Sequence, residues 1–261
     1  MTNRDQAPLG ENGLKPVVMI PVYNHEHAIG AVVDAVRARG LPVLLVDDGS
    51  KPSCAAVLDA LVKPPDVTLF RRAKNGGKGA AVISGLEEAH RLGFTHAVQI
   101  DADGQHDLLD LPRFLERATA HPNALVTGQP QYDKSVPKGR LYGRYLTHIW
   151  VWINTLSLAI KDSMCGFRVY PLQQTLAALV PSIGKRMDFD PEIAVRLVWA
   201  GTEVINIPTR VTYPTDGVSH FDVLWDNVRI SGMHTRLFFG MLLRLPRLLW
   251  RKLRPRGAAR R

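Results

Sequence analysis

Apolar runs of strand length alternate with helical segments from residue 16 to residue 100, and this alternation leaves few architectures open. Pro16 to Val22, Val43 to Val46, Val67 to Phe70 and Ala97 to Ile100 are short and continuously apolar, as expected of strands covered on both faces. Between them Ala28 to Arg39, Pro52 to Leu61 and Ala80 to Arg91 read as helices, the first ending at Gly40. Such a pattern predicts a right-handed α/β arrangement around a mostly parallel sheet flanked by helices. Ligands of such sheets sit beyond the carboxyl ends of the strands. The polar loops at Tyr23, Asp48, Lys78 and Asp101 all fall on that edge, and their co-location says more than any one of them.

Downstream, Asp110 to Ala120 reads as a helix and Ala124 to Thr127 as a strand. Gln129 to Arg144 is polar and basic and reads as a mobile loop. Leu146 to Ile160 is apolar but too short for a membrane span, so a buried or interfacial helix is expected. Asp162 to Pro171 returns as loop and strand, Pro191 to Ala200 as helix, Val204 to Pro208 as strand.

The strand ending at Ile100 delivers two carboxylates in Asp101-Ala102-Asp103-Gly104-Gln105-His106. Carboxylates so close repel unless a cation lies between them, and oxygen ligands favour Mg²⁺ or Mn²⁺, which also grip diphosphates. A plain polar turn is the alternative. Asp47-Asp48-Gly49-Ser50 offers carboxylates for a nucleotide base or ribose, or simply a turn and helix cap. Asn75-Gly76-Gly77-Lys78-Gly79 combines backbone freedom, a helix start and a cation, all suited to a diphosphate. It is not a Walker loop, because Gly79 follows the lysine where Ser or Thr is needed. In Asp162-Ser163-Met164-Cys165-Gly166-Phe167-Arg168, Asp162 can orient or deprotonate an acceptor and Arg168 hold a phosphate; alternatively the two close a loop as an ion pair. Asp188, Asp190 and Glu192 open a helix, where acids are favourable in any case, so a first-turn role and a site role are equally open for each. His106 and His220 are further candidates for a metal site.

Composition narrows the partners. Cys54 and Cys165 are the only cysteines, which argues against a disulfide framework and for a reduced, cytoplasmic setting. Met1 to Lys15 has no apolar segment of a secretory signal. The net charge is +9, and nine basic residues with no acidic one lie between Arg236 and Arg261. The rest of the chain is therefore neutral, which excludes a nucleic-acid-binding body and points the tail at an anionic surface. Arg244, Arg247, Arg251 and Arg254 step by three and four among leucines, a basic stripe that Pro246 should kink or divide. The expectation is an amphipathic segment on an anionic membrane; the alternative is a terminal helix docked on the body.

Taken in order, Ile20-Pro21-Val22-Tyr23-Asn24, Asp47-Asp48-Gly49-Ser50, Asn75 to Gly79, Asp101 to His106 and Gly166-Phe167-Arg168 resemble family 2 glycosyltransferases, and within them dolichyl- and polyprenyl-phosphate sugar synthases. The resemblance covers about residues 16 to 215. It implies a GT-A fold over 16–215, between a flexible N-terminus, 1–15, and a C-terminal membrane-association segment, 216–261, of amphipathic basic helices. It further implies a nucleotide-sugar donor bound by Pro21, Tyr23, Asn24, Asp47, Asp48, Lys78, Asp101, Ala102 and Asp103. Asp101, Asp103 and Gln105 would hold Mg²⁺ or Mn²⁺. Arg140 and Arg144 match an acceptor loop that grips a lipid phosphate, and the sugar would be transferred with inversion at the cytoplasmic membrane face by a peripherally attached protein. Two other functions are kept: transfer to a hydroxyl acceptor with Asp162 as base, and a non-catalytic nucleotide- or lipid-binding module.

Overall fold

The computed structural model describes residues 13–131, 138–211 and 222–253, with the backbone alone at 138–142. Among these residues β1 (Pro16–Val22), β2 (Val43–Asp47), β3 (Val67–Arg71), β4 (His96–Gln99), β5 (Leu125–Gln131), β6 (Arg168–Pro171) and β7 (Val204–Arg210) form one sheet, in the order β3-β2-β1-β4-β6-β5-β7. Neighbours run parallel except at β6, which is antiparallel to β4 and β5. The mostly parallel α/β sheet expected from the alternation is what forms.

Because side chains alternate along a strand, the apolar runs serve two cores. Val18 and Ile20 of β1 pack beneath α1 (Ile29–Arg37), α2 (Pro52–Leu61) and α4 (Leu111–Ala120). Val17 and Met19 face α3 (Lys78–Arg91), α5 (Lys138–Thr155), α6 (Leu172–Ala178), α7 (Phe189–Ala200) and α8 (Val223–Leu253). Helix α3 lies so close to the sheet that a Cβ on Gly85 would overlap the side chains of Met19 and Val46. That fit places Lys78, its first residue, over the carboxyl edge.

Several elements differ from the sequence reading. The segment read as a loop over Gln129–Arg144 is partly strand and partly helix: β5 pairs with β7 as far as Gln131 opposite Arg210, and α5 begins at Lys138. Helix α7 starts at Phe189, two residues early. Helix α8 runs unbroken for 31 residues with Pro246 inside it. Its end is pinned beyond the proline, where Arg251 donates to the carbonyl oxygens of Trp199 (2.8 Å) and Ala200 (3.3 Å), capping α7 as a basic side chain does. Arg244 lies over the Trp199 ring, 4.6 Å from its centroid. This part of the basic stripe is therefore docked on the body. His220, Arg254 and the boundary expected between 215 and 216 lie outside the described residues, as do residues 1–12.

Helix α5 buries Val151 together with several polar side chains. Its inner face carries buried Thr147, His148, Asn154 and Thr155, while Tyr145, Leu146, Ile149, Trp150 and Ile153 are exposed. Helix α8, packed against it, also exposes Leu242, Leu243, Trp250 and Leu253. Among the described residues no helix is long and apolar enough to cross a membrane.

His234 of α8 is buried against α5, its Nδ1 3.2 Å from Asn154 Nδ2, and burial lowers its pKa to about 4. The folded chain keeps this imidazole neutral, whereas the unfolded chain protonates it near pH 6.5. Stability should therefore fall as pH drops from about 6.5 to 4, by roughly 3 kcal/mol from this group. Urea unfolding at pH 7 and pH 4.5 tests this: His234→Gln should lose about 2 kcal/mol less than the parent between the two.

Candidate active site

Five loops meet at the carboxyl edge, and the sequence dictates how each turns. After β1, Asn24 adopts a positive φ of 55°. Its N–H donates to Ser50 Oγ (3.2 Å) and its Oδ1 accepts from the Lys51 N–H (2.8 Å), tying the first loop to the second. Pro21 and Tyr23 are half-buried beside them.

Asp47 and Asp48 both turn inward. Asp47 accepts the Ser50 N–H (2.8 Å) and the Arg71 Nε–H (2.7 Å), so the turn reading of this motif is realised. Asp48 accepts from the N–H groups of Gly76 (3.0 Å) and Gly77 (2.8 Å) and from Arg72 (2.6 Å). Burial pushes the Asp48 pKa up in spite of these donors. Both carboxylates were expected on the donor. The chain itself engages both, and Asp48 holds the glycine-rich loop. Gly77 has φ 97°, and a Cβ there would fall 2.7 Å from the Lys185 carbonyl oxygen; only glycine meets both demands.

The loop delivers Lys78 between two carboxylates. Its Nζ lies 2.8 Å from Asp101 Oδ1 and 3.2 Å from Asp190 Oδ2. Burial works against its charge, but the two acids outweigh burial and raise its pKa. Burial likewise opposes the Asp101 charge, and Lys78 and His106 overcome it, holding Asp101 well below the usual range. His106 Nε2 stands 3.6 Å from Asp101 Oδ2. Asp103 goes the other way: burial, then the Asp101 charge, raise its pKa, although its Oδ1 accepts the Gln105 N–H (3.0 Å). Ala102, between them, is buried.

This donor set fits a divalent ion. The Asp101 charge acts on Asp103, and the Gln105 N–H sits on the Asp103 carboxylate. Among the described residues no three His, Cys, Asp or Glu side chains gather into a closed cage. Two carboxylates with open positions suit Mg²⁺ or Mn²⁺, which complete their shell with phosphate oxygens and water.

The loop before β6 closes the site from behind. A Cβ on Gly166 would overlap the Asp101 carboxylate, so this glycine lets the acid sit where it does. Asp162 accepts a two-pronged pair from Arg144 (2.6 and 2.6 Å) and the N–H groups of Met164 (2.9 Å) and Cys165 (2.8 Å), with His148 Nε2 3.3 Å away. Burial disfavours its charge, but Arg144 and His148 hold its pKa far below the ordinary value. A carboxylate so engaged is a poor proton acceptor, which corrects the expectation of a base. Arg144 is bound to Asp162 accordingly; the Arg140 side chain lies outside the described residues.

Arg168 does not reach the cleft. It is fully buried, donating to the carbonyl oxygens of Ser163 (2.6 Å), Cys165 (2.8 Å) and Asp190 (2.7 Å). The phosphate-holding role expected of it is excluded by these donations. Nor is it an ion pair with Asp162, the other possibility. Cys165 is buried, its thiol pushed up to about 12 by burial and the Asp162 charge, as suits a packing residue. His148 and Arg72 carry no sequence signal that marks them as site residues. Asp190 had a signal, an acid at a helix start, but helix-dipole preference explained it equally well.

Comparison with known proteins places the chain in a family. The family model described as Glycosyl transferase family 2 matches residues 17–175. A polyprenol monophosphomannose synthase from Mycolicibacterium smegmatis is 28% identical over 78% of this chain and 80% of its own length. An undecaprenyl-phosphate mannosyltransferase from Micrococcus luteus is 27% identical over 75% of the chain and 82% of its own. Glucosyl-3-phosphoglycerate synthase from Mycobacterium tuberculosis, solved with Mn²⁺ and UDP-glucose, superposes with a TM-score of 0.63 at 13% identity, covering 92% of this chain and 84% of that one. That likeness shows a shared GT-A fold.

Gly166→Ala should push the Asp101 carboxylate aside and weaken Mn²⁺ binding about tenfold. Paramagnetic resonance of free Mn²⁺ measures the loss; circular dichroism should show the fold retained.

Proposed function

The chain belongs to glycosyl transferase family 2, and from that premise we propose that it moves a sugar, with inversion, from a nucleotide-sugar donor to a polyprenyl phosphate at a membrane surface. The observation that carries the acceptor class is the state of the carboxylates. Among the described residues around Asp101, Asp162 is saturated and Asp190 is paired with Lys78. A hydroxyl acceptor needs a base, and Asp162 is unfit to be one. A lipid phosphate arrives already anionic and needs none. The names of the two mannosyl-transferring relatives support the same class.

In this reading the donor lies along the edge from Pro21 and Tyr23 to Lys78. The glycine-rich loop, fixed by Asp48, brings Lys78 to the diphosphate, where a placed cation stabilises developing negative charge. A Mg²⁺ or Mn²⁺ ion held by Asp101, Asp103 and Gln105 supplies, when bound, Lewis-acid neutralisation of the leaving diphosphate. The acceptor oxygen attacks C1 of the sugar from the opposite face as the C1–O bond to the diphosphate breaks. Arg140 and Arg144 lie on the acceptor side, and α5 carries both.

Membrane attachment is peripheral in this proposal, at the cytoplasmic face. It is supported by the apolar outer face of α5, the neighbouring exposed leucines of α8 and the excess of basic residues toward the C-terminus. Together they match a surface for anionic headgroups and the upper acyl chains.

The test is release of nucleoside diphosphate from a panel of sugar nucleotides, with Mn²⁺ or Mg²⁺, with and without polyprenyl phosphate in vesicles. Turnover that requires both metal and lipid is expected, and Asp103→Ala should lower it about 100-fold or more. Turnover on a soluble hydroxyl acceptor without a lipid effect would overturn the acceptor class. A full rate in Asp103→Ala would favour the non-catalytic module.

A further inference from the structure

Lys78 has two carboxylate partners of different character. Asp101 belongs to the open pair facing the donor side. Asp190, at the start of α7, is nearly inaccessible at 5% exposure. Its main-chain oxygen accepts from Arg168 Nη1 at 2.7 Å, and its Oδ1 lies 3.9 Å from the same nitrogen. That oxygen is buried and has no hydrogen bond among the described residues. Arg168 is in turn fixed by the carbonyl oxygens of Ser163 and Cys165. Asp190 is thus an immobile anion with unused accepting capacity, within reach of an ammonium that carries three donors.

The backbone of Lys78 is equally fixed. The Ala80 N–H donates to the Lys185 carbonyl (2.9 Å), and Asp48 holds Gly76 and Gly77. Only the side chain can move. A divalent ion on Asp101 repels an ammonium 2.8 Å from the same carboxylate, so Lys78 must yield when the metal binds.

Resting on the transferase reading above, we propose that Asp190 is the positioning residue for Lys78: the seat that takes its ammonium when a divalent ion claims Asp101, and so keeps a cation beside the donor diphosphate. Without that seat Lys78 either competes with the metal for Asp101 or leaves for solvent.

A double-mutant cycle tests this in the full-length protein. The probes are Mn²⁺ alone, followed by spin resonance, and GDP and UDP at saturating Mn²⁺, followed by calorimetry. Asp190→Asn should weaken both Mn²⁺ binding and nucleoside diphosphate binding about tenfold. In a Lys78→Met background, Asp190→Asn should change neither, because the seat acts only through the lysine. A static effect of the Asp190 charge would act on Mn²⁺ whether or not Lys78 is present. Equal weakening in both backgrounds, or unchanged diphosphate binding in Asp190→Asn, overturns the proposal. Should Asp190→Asn not fold, Asp190→Glu keeps an anion for Arg168 but displaces it by one methylene. Its effect on Mn²⁺ is likewise expected to vanish without Lys78, and its persistence overturns the proposal. If the parent protein binds neither Mn²⁺ nor either nucleotide, the transferase reading falls and this inference with it.

Discussion

The buried guanidinium of Arg168 is the interaction on which the site depends. It joins the loop before β6 to the start of α7 by donating to Ser163, Cys165 and Asp190. Through the loop it sets Gly166 against Asp101, and through Asp190 it sets the anion facing Lys78. Burying an arginine is unfavourable unless its donors are satisfied and a counter-charge is near. Here three carbonyls and the Asp190 carboxylate meet that condition. Removing one partner of such a buried group costs on the order of 3–5 kcal/mol, so the site and the fold's stability share this centre.

From Arg168 outward the charges alternate through Asp190, Lys78 and Asp101, with the His106 ring 3.6 Å from the last. Lys78 and Asp101 stabilise each other's charge, whereas burial and the Asp101 charge push the pKa of Asp103, at the open end, upward. An unbalanced carboxylate at the mouth of a balanced chain is where a divalent cation gains most. The donor loops are held by a second, separate set of bonds, those of Asp47 and Asp48 to Arg71, Arg72 and the glycine-rich loop. The two halves of the edge are therefore stiffened by different bonds.

Much of this was legible in the chain. Apolar runs and intervening helices gave the parallel half of the sheet, and the polar loops fell together because that topology puts them on one edge. Asp101 and Asp103 were readable because adjacent acids after a buried strand have few reasons to exist. What stayed hidden depended on contacts between distant residues. Asp162 and Arg168 looked like an ion pair, being six apart, but Asp162 found Arg144 across the α5 interface and Arg168 turned into the core. The direction of β6 was equally unreadable, since a four-residue buried strand carries no mark of its orientation. Helix α5 was readable from Leu146 on, but its first turns, from Lys138, hid behind a polar and basic composition that reads as loop.

The reversal of β6 has a consequence for how such a site diversifies. In an all-parallel sheet only segments that follow strands arrive at the carboxyl edge. Because β6 runs backwards, the loop that precedes it arrives there too, together with α5. The stretch between β5 and β6 can thus lengthen, shorten or change its chemistry without altering the register of β1 to β4. One half of that edge is free to be rewritten while the other keeps its own bonds.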